Sequence, residues 1–432
     1  MKFKKFLQLY FKKTFQFLFK LIYGKIKLNV DLNKIKNLHK KQILNLLQVI
    51  YYQNNTYNPT QTLILVDTIK HNIGFMKGFV VCNRYYIYPI INCQGEGREF
   101  ESRLPLQNLP TQISKESENM KFVLFNNGTP GLLRTDGVVD LSKIIQPITS
   151  ETGQKAMEAI ISNSKNLKSE LEHIEKSGNA LSISNVSLLA PLPQPSKIFC
   201  MGGNYTEFGH REPGPMWGFQ KSNNTVIGPG GTVNLPPEDA NIFHHEAELV
   251  LVFGRAGKNI NEEEAFDYVF GYTCGVDVSA RMSGGSFKFQ PWRGISEHKS
   301  YPTFAPMGPT LVTKDEITDP QNVQIRLTVD GQLRGNFNTS DMAHSIAKSI
   351  AFVSQFENIN IGDVLYTGTN HQGLGAMQDG DNINIEIDQL GEFSFNVKDS
   401  LKRRWEKGID EETAEDIREG TGGPGRRKRP IS

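Results

Sequence analysis

Two glutamates interrupt an apolar run in the middle of the sequence. The run, HHEAELVLVF, has the composition of a buried β-strand, and Glu246 and Glu248 lie two positions apart in it. Successive side chains of a strand point to opposite faces, so both carboxylates are expected on the same face, together with His244. Buried side by side they would repel each other, and this would be costly unless one stayed protonated or a cation lay between them.

A third acid breaks the next apolar, strand-like segment. Asp277 lies in GYTCGVDVSAR, and the three carboxylates converge if the two strands are neighbours. Carboxylate oxygens are the ligands that hard divalent cations prefer, so this pattern predicts a site for Mg²⁺ or Mn²⁺, or alternatively Ca²⁺, rather than for zinc. The competing hypothesis is that each acid lies at a strand end in solvent.

The segments around these acids are mostly short and strand-like. Helical periodicity occurs in NEEEAFDYVF and in SDMAHSIAKSIAFVSQF, where Ser340 or Asp341 is predicted to cap the helix. This pattern predicts an α+β, β-dominated fold over residues 195–398.

Residues 120–194 are predicted to form a small subdomain and a linker, because the chain is long enough for two or three compact units. MKFVLFNNGTPGLLRTDGVVDL alternates apolar runs with turn signals, which is typical of a hairpin or small meander. Residues 151–178 show helical periodicity that ends at Gly178, and LLAPLPQPSK then has the composition of a Pro-rich linker.

The two ends of the chain differ from its centre. Residues 1–119 hold 18 Lys and Arg against 7 Asp and Glu, a net charge of +11, whereas the remainder holds 30 against 39, a net charge of −9. The Lys, Asn, Ile, Phe and Tyr bias of this extension is that of translated AT-rich DNA, so we interpret it as a gene-model artefact, with Met120 as the true start. A targeting peptide or a membrane-surface helix is the alternative. Residues 399–432 are predicted to be a charged, partly disordered tail.

Composition also restricts the compartment and the partners. The cysteines show neither zinc-ligand nor disulfide spacing, which favours a reducing, cytoplasmic location: Cys82, Cys93, Cys200 and Cys274. No apolar run reaches the roughly 18 residues of a membrane span, so no membrane association is expected. Because residues 120–432 are net acidic, no nucleic-acid partner is expected despite the basic ends.

Several motifs, in the same order and at similar spacings, resemble the fumarylacetoacetate hydrolase family. They are KIFCMGGNYTEF, HHEAELVLVFGRAG, HKSYPTFAPMGPTLV, NTSDM and IGDVLYTGTNHQGLG. The resemblance covers roughly residues 195–398 and implies a mixed β-roll, while the part from Met120 onward resembles the family's small N-terminal α/β subdomain. It also implies a homodimer and a small-molecule oxo-acid substrate.

The resemblance further implies roles for individual residues. Glu246, Glu248 and Asp277 match the family's metal ligands, and Lys299 matches an active-site lysine whose ammonium can stabilise negative charge on a substrate oxygen. Other positions are candidates for substrate binding: Tyr205, Lys221, Arg281, Gly368 and Thr369.

The sequence departs from the family at the general base. Hydrolytic members carry Asn-Tyr-x-x-His-x-x-Glu, but Phe208 and Arg211 occupy the His and Glu positions. The nearby His210 and Glu212 are one candidate pair. His371, in TGTNHQG, is another, because it follows the Thr-Gly-Thr turn and an imidazole titrates near neutral pH.

These features predict a divalent-metal-dependent enzyme that hydrolyses a carbon–carbon bond in a β-diketone or acylpyruvate-like oxo-acid through a metal-stabilised enolate. Decarboxylation, isomerisation or hydration on the same fold is the alternative, and the missing His–Glu pair favours it. A metal-binding pseudoenzyme is a further alternative, which the presence of Lys299 and Thr369 disfavours.

Overall fold

The computed structural model describes residues 120–282, 290–421, 423–425 and 428–431, and the backbone of two short strands further upstream. These strands, β1 (Val81–Cys82) and β2 (Tyr86–Ile87), pair antiparallel. The rest of the basic extension, and with it the interpretation of residues 1–119, lies outside the described residues. The chain divides between residues 109 and 110 into two units, and the second contains all the predicted site residues.

The second unit consists mainly of strands. They are β3 (Lys121–Phe125), β4 (Thr129–Arg134), β5 (Gly137–Asp140), β6 (Ala180–Leu181), β7 (Leu188–Leu189), β8 (Ile198–Gly202), β9 (Trp217–Lys221), β10 (Val226–Ile227), β11 (Thr232–Leu235), β12 (Ala240–Phe253), β13 (Val269–Met282), β14 (Trp292–Ile295), β15 (Ala305–Thr313), β16 (Gln324–Val329), β17 (Gln332–Asn338), β18 (Val364–Tyr366), β19 (Asn382–Ile387) and β20 (Gly391–Asp399). The helices are α1 (Ser142–Ile145), α2 (Gln154–Ser177), α3 (Ile346–Phe356) and α4 (Glu411–Glu419). In the part of the chain that is described, no helix is both long and apolar enough to cross a bilayer.

The strands form two mixed sheets. The larger has the order β14-β9-β8-β18-β12-β13-β15-β3-β4-β5-β6, with β10 beside β15 and β7 beside β3, and the smaller has the order β11-β20-β19-β16-β17. Parallel pairs such as β8 with β18 occur beside antiparallel pairs such as β12 with β13. This architecture confirms the predicted β-dominated α+β fold.

The centre of the larger sheet is the long antiparallel pair β12 and β13. Every residue of β12 is buried, which explains why residues 249–253 are continuously apolar instead of alternating. The register places Glu246 opposite Asp277 and Glu248 opposite Gly275. The acids are therefore brought together by strand pairing alone.

The N-terminal segment extends the same sheet. Strands β3 and β4 form the predicted hairpin, and Phe122 of β3 pairs with Leu311 of β15. The helix predicted over residues 151–178 is α2, and Gly178 is its C-terminal cap. Its apolar side chains pack into a core with strands β3, β8 and β15.

The predicted start of α3 is wrong. Thr339–Asp341 form a short 3₁₀ turn, and α3 begins at Ile346, where the Ser345 hydroxyl accepts a hydrogen bond from the backbone. The Asp341 carboxylate instead binds a distant loop, so a tertiary contact replaces the local cap that the Ser340–Asp341 pair suggested.

Residues 399–432, predicted to be a charged, partly disordered tail, include side chains that pack into the core. Trp405 is only 4% exposed, and its indole donates a hydrogen bond to the Asn241 carbonyl at 2.7 Å. Arg403 is buried because the Asp399 carboxylate neutralises its guanidinium. A high charge content therefore does not mean that this segment is solvated.

We expect Trp405→Ala to lower the free energy of unfolding by about 3–5 kcal/mol, the usual cost of truncating a buried tryptophan. Urea unfolding of the full chain would measure the loss. Leu401→Ala is the control, since Leu401 is 53% exposed and its truncation should cost less than about 0.5 kcal/mol. Equal stability of the two variants would show that this segment does not contribute to the fold.

Candidate active site

Glu246, Glu248 and Asp277 form a buried cluster on the β12–β13 pair. Their ligand oxygens all lie within 4.8 Å of one another, and the three residues are 4%, 1% and 1% exposed. The hypothesis that these acids lie in solvent at strand ends is therefore wrong. The arrangement matches the convergence that the spacing of the acids predicted.

Three basic side chains neutralise part of this cluster. Lys299 Nζ lies 2.6 Å from Glu246 Oε2 and 2.6 Å from Asp277 Oδ2. Lys221 is fully buried and donates to the other Asp277 oxygen, and Arg281 donates to the other Glu246 oxygen. Lys221 and Arg281 were predicted to bind the substrate, but here they bind the acids, because buried carboxylates need counter-charges.

The two glutamates experience opposite electrostatic effects. Burial would raise the pKa of Glu246, but the Arg281 and Lys299 charges outweigh it and hold this pKa well below its usual range. Burial and the charges of Asp277 and Glu246 raise the pKa of Glu248 well above its usual range. Glu248 has no ion pair among the described residues, and its carboxylate accepts a hydrogen bond from the Gly368 amide at 2.5 Å.

These residues fit a divalent cation. Glu248 is a buried carboxylate that faces two other acids without a cation of its own, and a bound ion would remove that repulsion. Glu246, Glu248 and Asp277 would hold the ion through carboxylate oxygens, the donors that Mg²⁺, Mn²⁺ and Ca²⁺ prefer.

The Thr367–Thr369 turn lies against the acid cluster. Gly368 has φ +95°, and its amide donates a hydrogen bond to Glu248. Its role in substrate binding stays a prediction. The Thr367 hydroxyl donates to the Leu249 carbonyl at 2.8 Å, which fixes the turn on β12. Thr369 is buried within the same turn.

His371 forms a dyad with Glu207. His371 Nδ1 lies 2.6 Å from Glu207 Oε1, and the His371 amide donates to Oε2 at 2.9 Å. Burial would raise the pKa of Glu207. The charge and hydrogen bonds of His371 outweigh this effect, together with a hydrogen bond from Gln372, and hold the pKa of Glu207 below its usual range. His371 is also near enough to Glu246 for its charge to lower the pKa of that carboxyl. His371 also lies two residues after the Thr367–Thr369 turn, whose Gly368 amide binds Glu248, so the dyad lies beside the acid cluster.

The other predicted base pair is not brought to the site. His210 and Glu212 are both exposed, on the loop that follows Tyr205. Glu207 was missed because it occupies neither the His nor the Glu position of the family motif. The only sequence signal for Glu207 was an acid in the TEFGH turn.

Tyr205, a predicted substrate-binding residue, is buried in the described structure. Its ring packs edge-on against Phe337, with 5.1 Å between centroids. Its hydroxyl is buried without a hydrogen-bond partner among the described residues. Burial and the nearby charge of Glu248 raise the pKa of Tyr205 well above its usual range, so the hydroxyl remains a hydrogen-bond donor.

Asp341 holds the loop that carries Glu207. Glu207 and Phe208 have φ values of +55° and +60°, and such left-handed conformations cost a non-glycine residue roughly 1–2 kcal/mol each. The Asp341 carboxylate accepts hydrogen bonds from the Thr206 hydroxyl, the Phe208 amide at 3.1 Å and the Asn370 side chain at 2.8 Å. One carboxylate thus binds residues next to both members of the dyad.

We expect Asp341→Ala to lower the free energy of unfolding by about 1–3 kcal/mol, because three donors lose a charged acceptor. Chemical denaturation would measure the change. Asp388→Ala is the matched control: its ion pair with Arg326 is largely exposed and should contribute about 0–1 kcal/mol. No difference between the two variants would mean that the strained loop does not depend on Asp341.

The mixed sheet and the acid cluster define an enzyme family. The sequence profile of the fumarylacetoacetate (FAA) hydrolase C-terminal domain matches residues 197–398, and the chain belongs to the fumarylacetoacetate hydrolase family. The mitochondrial oxaloacetate tautomerase of Xenopus laevis is 35% identical over 311 residues, which cover 68% of this chain and 94% of the relative. Maleylpyruvate hydrolase of Aquipseudomonas alcaligenes is 29% identical over 299 residues, which cover 65% of this chain and 99% of the relative.

A solved structure shows the same fold with ligands. Maleylpyruvate hydrolase from Sphingobium sp. SYK-6, in complex with manganese(II) ion and pyruvate, superposes with a TM-score of 0.57 at 30% sequence identity. The match covers 65% of this chain and 99% of that protein. These relatives are enzymes named for hydrolase or tautomerase reactions.

Proposed function

We propose that this protein is a divalent-metal-dependent tautomerase, which moves a proton between carbon and oxygen next to the keto group of a small, oxaloacetate-like oxo-acid. The observation that carries the proposal is the His371–Glu207 dyad beside the acid cluster. Keto–enol exchange requires a base and a charged site for the enolate, and needs no activated water. The oxaloacetate tautomerase relative, matched over 94% of its length, supports this choice.

The dyad supplies the proton transfer. Glu207 is held ionised by its hydrogen bonds, so it fixes His371 with Nδ1 as donor and leaves Nε2 as the basic nitrogen. Nε2 has no hydrogen-bond partner among the described residues. In the proposed step Nε2 takes the proton from the carbon beside the carbonyl, the carbon–hydrogen electrons form the enolate, and the same proton then returns to oxygen.

The basic residues of the cluster stabilise the enolate charge. Burial would lower the pKa of Lys299, but Asp277 and Glu246 outweigh it and raise this pKa, so the ammonium stays protonated next to the site. A divalent cation held by Glu246, Glu248 and Asp277 would supply Lewis-acid polarisation of the substrate carbonyl. Mg²⁺ and Mn²⁺ both suit these donors, and the manganese(II) complex of the Sphingobium enzyme supports Mn²⁺.

Hydrolysis of a carbon–carbon bond in an acylpyruvate-like or β-diketone oxo-acid is the second candidate. The maleylpyruvate hydrolase relatives favour it. The sequence argument against hydrolysis was the lack of a His–Glu pair, and His371 with Glu207 offers such a pair from different positions. The same Nε2 would then take a proton from water.

The two candidates are distinguished by products. The full chain would be freed of metal, supplied with Mg²⁺ or Mn²⁺, and mixed either with oxaloacetate enol or with an acylpyruvate. The measurements would be the enol absorbance, the carboxylic-acid products and the release of CO₂. Metal-dependent loss of enol without cleavage supports the tautomerase, and cleavage of the acylpyruvate supports the hydrolase. Release of CO₂ would indicate a decarboxylase, and metal binding without any turnover would contradict both proposals.

The location and the assembly stay predictions. We expect a cytoplasmic homodimer that binds no nucleic acid, but the Xenopus relative is named as mitochondrial. Cell fractionation with an antibody against the protein would decide the compartment, and analytical ultracentrifugation would decide the oligomeric state.

A further inference from the structure

We infer that Arg418 is a positioning residue for the His371–Glu207 dyad and that it acts through Gln372. The inference rests on the proposed function, in which this dyad is the base. Arg418 belongs to α4, which lies beyond the matched family domain of residues 197–398. The dyad would therefore depend on a segment outside that domain.

Gln372 connects α4 to the dyad. Its side-chain nitrogen donates to Glu207 Oε2 at 3.1 Å and to the Ala414 carbonyl at 3.3 Å. Its side-chain oxygen accepts a hydrogen bond from Arg418 Nη1 at 2.6 Å. Both ends of this amide are thus occupied, and α4 contributes to each of them.

Arg418 sets the orientation of the Gln372 amide. A glutamine amide has one donating and one accepting end, whereas a guanidinium can only donate. Arg418 therefore holds the oxygen on its own side, through a charge-assisted hydrogen bond, and turns the NH₂ group toward Glu207. A flipped amide would place its oxygen against a buried carboxylate, which is repulsive.

The orientation of this amide determines how Glu207 holds His371. Glu207 Oε2 accepts from the His371 amide and from Gln372, while Oε1 is left to accept from His371 Nδ1. Loss of the Gln372 contact removes one of the donors that fix the carboxylate. The imidazole then becomes less firmly held in the form that leaves Nε2 basic.

Helix α4 is itself attached to the segment that carries the dyad. The Asp410 amide donates to the Leu374 carbonyl at 2.7 Å, directly after the turn that contains His371. Asp410 also caps α4, accepting from the Thr413 amide at 3.2 Å, and it pairs with Lys428 at 3.0 Å. Arg418 is therefore held at a fixed position relative to Gln372.

The test compares Arg418→Ala, Arg418→Lys and a control, Glu415→Ala, which removes an exposed charge from the same helix. Steady-state kinetics of the full chain would use oxaloacetate enol. Nitrogen-15 NMR of the Mg²⁺-loaded full chain would report the imidazole tautomer of His371, assigned by the signal lost in His371→Gln. The NMR measurement requires no turnover.

We expect Arg418→Ala to lower kcat about tenfold, the effect of losing one charge-assisted hydrogen bond. KM should change less than about twofold. The imidazole of His371 should become a mixture of its two tautomers. Arg418→Lys should recover most of kcat, and Glu415→Ala should match the wild type. If Arg418→Ala does not fold, Gln372→Met tests the same link and should give the same two changes.

A variant that keeps both the wild-type tautomer and the wild-type kcat, even with a lower melting temperature, would overturn the inference and leave the proposed function intact. A wild-type protein that turns over no oxo-acid, but whose His371 tautomer still depends on Arg418, would contradict the proposed function and support the positioning role.

Discussion

Replacing Glu248 with Gln is expected to weaken divalent-cation binding by more than about 100-fold and, at the same time, to stabilise the cation-free protein. The first effect follows because a carboxylate ligand is lost, and changes that only disturb the ligands already cost about 10–100-fold in affinity. The second follows because Glu248 is buried among acids without an ion pair among the described residues.

The stabilising effect has a defined pH dependence. In the folded protein the pKa of Glu248 is raised above its ordinary value of 4.5, so the folded state holds this proton where the unfolded chain has released it. Wild-type stability is therefore penalised as pH rises above about 4.5, and below that pH the penalty is absent. Glu248→Gln removes this penalty. At pH 8 the melting temperature of the cation-free protein should therefore rise by about 2–4 °C, which corresponds to roughly 1 kcal/mol. At pH 4 the melting temperature should be nearly unchanged.

Isothermal titration calorimetry with Mn²⁺ and Mg²⁺ would measure the affinity, and calorimetric melting of the chelator-treated protein would measure the stability. Glu263→Gln is the matched control, because Glu263 is an exposed carboxylate outside the cluster. Unchanged affinity in Glu248→Gln would remove Glu248 from the metal site. A fall in the melting temperature at pH 8 would show that its carboxylate is stabilising without a cation.

Replacing His371 with Gln is expected to lower kcat by about 10²–10⁴-fold, the usual contribution of general acid–base catalysis. Glutamine can still donate to Glu207 but cannot take up a proton at neutral pH. Cation affinity should change less than about twofold, because His371 is not one of the three ligands. Stopped-flow measurement of enol loss, with calorimetry of Mn²⁺ binding, would separate the two effects.

Two further variants make this second prediction specific. His210→Gln should keep wild-type kcat, because the His210 side chain is exposed and forms no hydrogen bond with the dyad among the described residues. Glu207→Gln should lose less than His371→Gln, and combining the two should add little to the effect of His371→Gln alone, since the residues act as one unit. If His210→Gln alone loses activity, the base is His210, one of the candidates named from the sequence, and not His371.

Those parts of the site that depend on regular structure were predictable from the sequence. Glu246 and Glu248 share a face because side chains alternate along a strand, and Asp277 joins them because the next apolar segment pairs with the first. The β-dominated class and helix α2 follow from the same local periodicities.

The remaining features depend on contacts between distant residues. Glu207 reaches His371 across 164 positions, from a left-handed loop that no local pattern predicts for glutamate. Arg403, in the segment predicted to be a charged tail, donates hydrogen bonds to the Pro236 and Glu238 carbonyls, which lie 167 and 165 positions away in the sequence. The cap of α3 was misplaced for the same reason, since Asp341 binds the Glu207 loop.

The pairing of β3 with β15 limits how far the protein can be shortened. The matched family domain begins at residue 197, but a fragment that starts there lacks β3. Leu311 and Val312, which are buried in the complete sheet, would then lie on an open strand edge. Open apolar edges are templates for aggregation. Residues 120–194 therefore also protect the catalytic sheet from self-association.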